Sequence, residues 1–149
     1  MSQRQVSKGV IPSGQDPESE WHGTACPEDG TMQWVHDATI LSVTQTGGAL
    51  DTTVENDAIR LPEGLYMVSI QAAFAAITGG WVSVYASLSQ GAREVLPVSD
   101  ELNANGYNGL TAMGVIRCDG TRPSVSVTIG GGSSGTLRKP ITIDIVKIG

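Results

Sequence analysis

The 149-residue sequence has few charged residues, few aromatic residues and only two cysteines. Charged residues make up 16% of the chain, against about 25% in typical globular domains. Much of the surface must therefore be uncharged and polar, a composition that suits self-association or packing against other proteins. The net charge of −6 and the lack of a basic patch with interleaved aromatic residues argue against nucleic-acid binding. The acidic balance also disfavours anionic membrane surfaces.

Long apolar runs are missing as well. No run approaches the roughly 20 residues that a helix needs to span a bilayer, and the N-terminus has no apolar segment of the kind found in secretory signals. We therefore expect no membrane partner, and a chain that is made and folded in a cytoplasm. Cys26 and Cys118 are expected to be free thiols there, although a bridge between them that ties the N-terminal segment to the rest of the chain stays open.

The sequence offers few groups for metal binding or catalysis. His22, Cys26, His36 and Cys118 are the candidate zinc ligands, and His22 and Cys26 have a tolerable spacing. A Cys-x-x-Cys pair is missing, so ordinary histidines and free thiols are the favoured interpretation. Neither cysteine lies in a motif typical of a nucleophile. We predict no catalytic residue, no metal and no cofactor.

Two loops resemble ligand sites in part. Residues 101–106 imitate the start of a calcium-binding loop, but the twelfth position of that register is Ala112 and supplies no carboxylate. Residues 130–135 are rich in glycine but lack the Lys-Ser/Thr that completes a phosphate-binding loop. Both segments are interpreted as ordinary loops, and the scattered carboxylates form no pair suited to glycoside hydrolysis.

Residues 1–31 are polar and interrupted by Pro12, Pro17 and Pro27. Proline at this density disfavours regular helix and central strand, so we predict an extended N-terminal arm. Trp21 is its one large apolar residue. It either docks the arm on a neighbouring molecule or covers the sandwich of its own subunit.

Residues 32–149 read as a series of short alternating strands separated by Gly, Asn, Asp and Pro turns. The segment 65–74 places apolar side chains at every second position, which predicts a buried row, and 82–88 repeats the pattern. Residues 99–109 are expected to form a polar loop, and 140–149 a closing strand. Eight or nine strands with no internal repeat predict an all-β jelly-roll sandwich. The predicted rows are Tyr66, Val68, Ile70, Ala72 and Phe74, then Val82, Val84, Ala86 and Leu88.

Four segments in order resemble the C1q/TNF-like superfamily. They are a Pro-Glu-Gly turn that leads into an alternating strand (59–70), a strand with its Gln-Gly turn (82–91), a strand, Asp-Gly turn and strand (114–127), and the C-terminal strand (141–148). The resemblance implies a jelly roll whose last strand lies in the centre of the inner sheet. It also implies a homotrimer that buries one face at a threefold axis. Relatives without a collagen-like stalk occur among bacterial and phage surface proteins.

The leading hypothesis for function is a non-enzymatic virion protein that decorates and cements a phage capsid. Its partners would be copies of itself and the major capsid protein, and it would be made in the host cytoplasm and end on the capsid surface. In this hypothesis the arm, residues 1–31, extends over neighbouring capsomers. Val10, Ile11, Trp21 and Trp34 are the predicted interface anchors.

Two other classes stay open. One is the receptor- or glycan-binding head of a tail or surface fibre, carried by the loops 99–109 and 130–135, with Trp81 and Tyr107 as stacking surfaces for sugar rings. The other is a jelly-roll metalloenzyme, which the presence of only two histidines disfavours. A self-assembling surface-layer or spore-coat component would leave much the same traces in the sequence.

Overall fold

The computed structural model describes residues 17–27, 32–35, 39–78, 82–90, 93–102, 106–130 and 134–149. Within these ranges, strands make up almost all of the regular structure, and one short 3₁₀ helix, Pro17–Ser19, precedes the first strand. The strands are β1 Glu20–Cys26, β2 Gln33–Val35, β3 Thr39–Ile40, β4 Ser42–Gly48, β5 Thr53–Glu55, β6 Ala58–Arg60, β7 Gly64–Thr78, β8 Val82–Gln90, β9 Arg93–Leu102, β10 Gly106–Cys118, β11 Ser124–Gly130, β12 Ser134–Leu137 and β13 Ile141–Lys147.

The strands form two antiparallel sheets. One has seven strands in the order β2-β12-β7-β13-β1-β4, with β10 paired to the other edge of β7. The second has six strands in the order β5-β6-β11-β8-β9, with β3 also paired to β11. This is the predicted jelly-roll sandwich. The C-terminal strand β13 lies between β7 and β1, in the central position that the resemblance implies.

The core lies between the two sheets and is built from the predicted alternating rows. On β7 the row from Tyr66 to Phe74 is at most 6% exposed, and on β8 the row from Val82 to Leu88 is at most 4% exposed. Strand β13 adds three isoleucines with no exposure, Ile141, Ile143 and Ile145. Period-two burial on several strands at once fixes the register, because a slip by one residue would turn each apolar row to solvent.

The predicted arm is corrected in its second half. Residues 20–26 form β1, which pairs with β13 on one side and β4 on the other. Pro17 and Pro27 lie just outside this strand, so neither removes a donor from its ladder. Trp21 has no exposed surface and belongs to the core of its own chain. An arm over residues 1–16 stays a prediction, since those residues lie outside the described ones.

Two predicted loops are shorter than the sequence suggested. Within 99–109, β9 continues to Leu102 and β10 begins at Gly106. Within 130–135, β12 begins at Ser134 and pairs with both β2 and β7. Backbone ladders need no apolar alternation, so glycine and serine at these positions can still pair.

Both cysteines are free, as expected: Cys26 is half-buried and Cys118 is buried. No helix in the described part of the chain is long and apolar enough to cross a membrane.

Candidate functional site: the outer surface of the seven-stranded sheet

Strand β10 carries apolar side chains on both of its faces. Leu110, Ala112 and Ile116 point into the core and are at most 6% exposed. The alternate positions point away from the core, and among them Met113 is 62% exposed and Val115 is 48% exposed. A large apolar side chain that stays in water gives up stabilisation that burial would supply, so two such residues on one strand make this face a candidate contact surface.

The strand register extends this apolar surface across the sheet. Val115 lies opposite Met67 on β7, and Met67 lies opposite Val146 on β13. Side chains directly opposite each other in antiparallel strands have Cβ atoms about 4.5–5.5 Å apart. Ile148 follows β13, is 50% exposed, and donates its backbone N–H to Leu65 O at 2.7 Å. We call this surface the apolar patch: Leu65, Met67, Met113, Val115, Val146 and Ile148.

A polar row runs beside the apolar patch. Its first residue, Ser69 on β7, lies opposite Met113. The row continues with Asp144 on β13 and ends with His22 on β1. His22 Nδ1 lies 2.6 Å from Asp144 Oδ1, and His22 Nε2 lies 2.7 Å from Glu20 Oε1. Glu20 itself lies opposite Val146 of the apolar patch. We call Glu20, His22 and Asp144 the histidine cluster.

The geometry sets the charge of His22. Each ring nitrogen faces a carboxylate oxygen, and an ionised carboxylate can only accept a hydrogen bond. Both nitrogens therefore donate, which requires the imidazolium form. The hydrogen bonds to Asp144 and then to Glu20 raise the pKa of His22 above 6.5, and partial burial opposes them with a smaller effect.

The three candidate zinc ligands that the structure describes, His22, Cys26 and Cys118, are not brought together as a metal site. The two ring nitrogens of His22 point in different directions and each is occupied by a carboxylate. Among the described residues, no group of three or more His, Cys, Asp or Glu side chains is placed to hold a metal ion. His36 lies outside the described residues. Burial raises the pKa of the Cys118 thiol to about 11, so little of the nucleophilic thiolate forms at neutral pH.

A cleft of about 590 Å³ lies beside the first residues of β7 and the last residues of β10, next to the apolar patch. Asp119 on its rim accepts hydrogen bonds from the backbone N–H of Thr121, at 2.9 Å, and from the hydroxyl of the same residue. These bonds lower the pKa of Asp119 and assign its carboxylate to the turn between β10 and β11. The lining residues are Glu63, Gly64, Leu65, Arg117, Cys118, Asp119 and Gly149.

Two of the four predicted interface anchors lie among the described residues, and both are buried. Trp21 and Trp34 are 0% and 3% exposed, so neither presents a surface to a partner. The ring of Trp34 packs edge-on against Phe74, with centroids 5.9 Å apart. Tyr107 falls within β10, but its side chain lies outside what the structure describes. Val10, Ile11 and Trp81 also lie outside the described residues.

Sequence analysis did not single out Met113, Val115, Ile148 or the histidine cluster as parts of a surface, although Leu65 and Met67 on the opposite row of β7 suggest that this face is partly covered. The apolar residues of β10 occur at both parities between Leu110 and Ile116, and that is the signal from which Met113 and Val115 could have been found. The histidine cluster has no such signal, because the β1–β13 pairing brings Asp144 to His22 from 122 positions away.

Comparison with known proteins identifies the fold. No protein-family model matches the chain, and no curated protein sequence matches it significantly. Among solved structures, Eiger TNF from S. frugiperda superposes with a TM-score of 0.68 at 12% identity, over 87% of this chain and 92% of that one. Murine APRIL at pH 8.5 gives 0.67 at 15% identity, over 87% and 99%. Likeness at this level of identity shows that the fold is a TNF-like jelly-roll β-sandwich.

Proposed function

We propose that this chain is a non-enzymatic structural protein that assembles into a homotrimer through the outer surface of its seven-stranded sheet. The observation that carries the proposal is the apolar patch, in which Met113, Val115 and Ile148 are each about half exposed or more. Full burial of a side chain of this size contributes about 1.5–3 kcal/mol. Because about half of each side chain is already covered, roughly half of that gain remains for association, and the rest of the apolar patch must add to it.

A second copy of the chain is the occupant that the charge distribution favours. Arg117 follows Val115 on β10 at one edge of the surface, and the histidine cluster lies toward the other edge. Packing β10 of one copy against β1 and β13 of the next would bring Arg117 toward Glu20 and Asp144. Such a head-to-tail contact uses two different surfaces and closes into a ring when the rotation allows it. The TNF-like fold supports a threefold ring.

We further propose that the trimer decorates and cements a bacteriophage head, with the major capsid protein as partner. The low charge, the lack of catalytic motifs in the sequence and the polar segment 1–16 with Val10 and Ile11 support this role. The protein would be made in the host cytoplasm and bind the outside of the shell. Many weak contacts suffice there, because a repeated lattice makes binding multivalent.

Light scattering of the purified chain tests the assembly. We expect three times the 15.5 kDa chain mass. Val115→Glu should give the monomer mass, because a carboxylate in the contact would lose its hydration without a partner. Thr53→Glu is the matched control, an exposed strand position on the other sheet, and should remain trimeric. A monomeric wild type at all concentrations would overturn the proposal.

Immunogold electron microscopy tests the decoration role. Antibody against the chain should label the heads of particles from a culture that produces it, and deletion of residues 1–16 should remove the label from heads while the trimer persists. Label at the tips of tail fibres would favour the alternative of a glycan-binding head, and particles with no label would contradict both.

A further inference from the structure

We propose that the histidine cluster controls self-association by pH: copies hold together while His22 is an imidazolium and separate as it loses its proton. The proposal rests on the assembly through this surface that is proposed above. It concerns a property that the apolar patch alone would not have, since methionine, valine and isoleucine do not titrate.

The geometry of the cluster makes the proton on His22 necessary. A neutral imidazole has one N–H and one lone pair. With carboxylate oxygens 2.6 Å from Nδ1 and 2.7 Å from Nε2, loss of either proton would direct a lone pair at a negatively charged oxygen. Deprotonation therefore breaks one bond of the cluster and leaves Glu20 or Asp144 without its counter-charge.

Strands β4 and β7 do not supply another cation to replace it. Strand β4 pairs with β1, places Gly47 opposite His22 and contains no titratable residue. Strand β7 contains no charged residue. It places Ser69 opposite Asp144 and Gln71 opposite Thr142.

Strand β13 contributes Asp144 and, at its end, Lys147 beside Gly64. Within β1, the remaining titratable group is Cys26, and Glu18 lies in the preceding 3₁₀ helix. The cluster thus carries a net charge of −1 with the proton and −2 without it.

The position of the cluster couples this charge to assembly. Glu20 is directly opposite Val146 of the apolar patch, and its side chain is only 12% exposed. Asp144 is opposite Ser69, which is opposite Met113. A copy that covers the patch must also remove water from these carboxylates. Arg117 of the next copy would balance the charge of −1 on the protonated cluster, but not the charge of −2 that remains when His22 is neutral. Removing water from an unbalanced charge costs more than removing it from a balanced cluster.

The direction of the pH dependence follows from the pKa of His22. Hydrogen bonds to Asp144 and Glu20 raise that pKa above 6.5, so the imidazolium persists to a higher pH than in a free histidine and is lost as pH rises through the shifted value. If copies associate more tightly when His22 is protonated, the pKa of His22 is higher in the assembly than in the single chain. The dissociation constant should then increase by up to about tenfold for each pKa unit by which assembly raises it.

Sedimentation equilibrium at pH 6 and pH 9 tests the proposal. The wild-type dissociation constant should be about tenfold higher at pH 9. His22→Gln keeps a polar side chain but no cation, and should dissociate as readily at pH 6 as the wild type does at pH 9. The double variant Glu20→Gln/Asp144→Asn removes the repelling charges and should lose the alkaline dissociation. Circular dichroism establishes that each variant is folded.

The outcomes separate the two proposals. A wild type that forms the same oligomer with the same dissociation constant at both pH values would overturn the pH control and leave the assembly standing. A monomer at both values would overturn the assembly, and the pH control with it. Nitrogen-15 NMR of the imidazole rings gives an independent readout. The His22 signals, identified by their loss in His22→Gln, should show two protonated nitrogens at pH 6, and a single neutral tautomer at that pH would overturn the proposal.

Discussion

Single residues in β1 show how little freedom the packing leaves. Gly23 lies between Trp21 and Thr44, where the indole ring folds over the backbone. A Cβ atom added at Gly23 would overlap Trp21 Cη2 and lie 2.7 Å from the carbonyl oxygen of Thr44. The ring is fully buried and the oxygen belongs to a paired strand, so neither can move away cheaply. Glycine is required here by a side chain two positions earlier.

Gly23→Ala should therefore lower the free energy of unfolding by about 1–3 kcal/mol, the usual cost of overpacking. Urea denaturation measures the change. The control is Gly47→Ala on the neighbouring strand, where the added Cβ would meet nothing closer than His22 Cδ2 at 3.8 Å. Equal stability of the two variants would contradict the contact described for Trp21.

At the scale of strands, β1 is the element on which the sheet depends, and sequence analysis did not predict it. Its pairing with β13 and β4 closes the ladder on both sides, and its removal would leave β4 without that partner. It also brings Trp21 to the core and Glu20 and His22 to the outer surface. One seven-residue strand therefore serves both the stability of the fold and the candidate site.

Truncation at two points tests this role. Deletion of residues 1–16 should leave a cooperative thermal transition close to that of the full chain, because β1 and the bond from Ala49 N–H to Pro17 O remain. Deletion of residues 1–27 removes β1. Loss of a buried tryptophan alone costs about 3–5 kcal/mol, against a total stability of about 5–15 kcal/mol for a domain, so we expect this variant to lose its cooperative transition. Calorimetry or circular dichroism measures both, and a sharp transition in the longer deletion would contradict the assignment.

Strands were predictable where a local pattern reports burial. The rows on β7, β8 and β13 alternate, so the sequence predicts that these segments are strands and which of their side chains share a face. Strand β1 differs from the prediction of an extended arm. Pro17 and Pro27 flank this strand but do not interrupt it. Strand β12, Ser134–Leu137, was missed because its glycine and serine content indicates a loop, and only its pairing with β2 and β7 makes it a strand.

The candidate site was less predictable than the fold, for a physical reason. Met113 and Val115 are exposed because no other described element covers the outer surface of the seven-stranded sheet. A local sequence pattern does not predict whether such a cover exists. The hydrogen bond between His22 and Asp144 depends on the β1–β13 register. Period-two alternation predicts which face a side chain occupies, but not which side chains from distant strands become its neighbours.

At the scale of the whole molecule, assembly sets apolar attraction against electrostatic repulsion. Each copy has a formal net charge of −6 with histidine neutral, so a trimer concentrates three times that charge. The apolar patch acts only over contact distances, whereas repulsion acts over a Debye length, about 30 Å at 0.01 M salt and about 8 Å at 0.15 M. Exposed ion pairs between copies contribute little against this, typically about 0–1 kcal/mol each.

Added salt should therefore tighten the trimer. Sedimentation equilibrium at pH 7 in 10 mM and 150 mM NaCl should give a lower dissociation constant at the higher concentration, because screening removes repulsion between copies and leaves the burial of Met113, Val115 and Ile148 almost unchanged. Val115→Glu is the control and should remain monomeric in both buffers, which would exclude general salt-induced aggregation. The opposite result, a trimer that loosens as salt is added, would mean that attraction between Arg117 and the acidic residues Glu20 and Asp144 holds the copies together. The apolar patch would then lose its place as the main source of association.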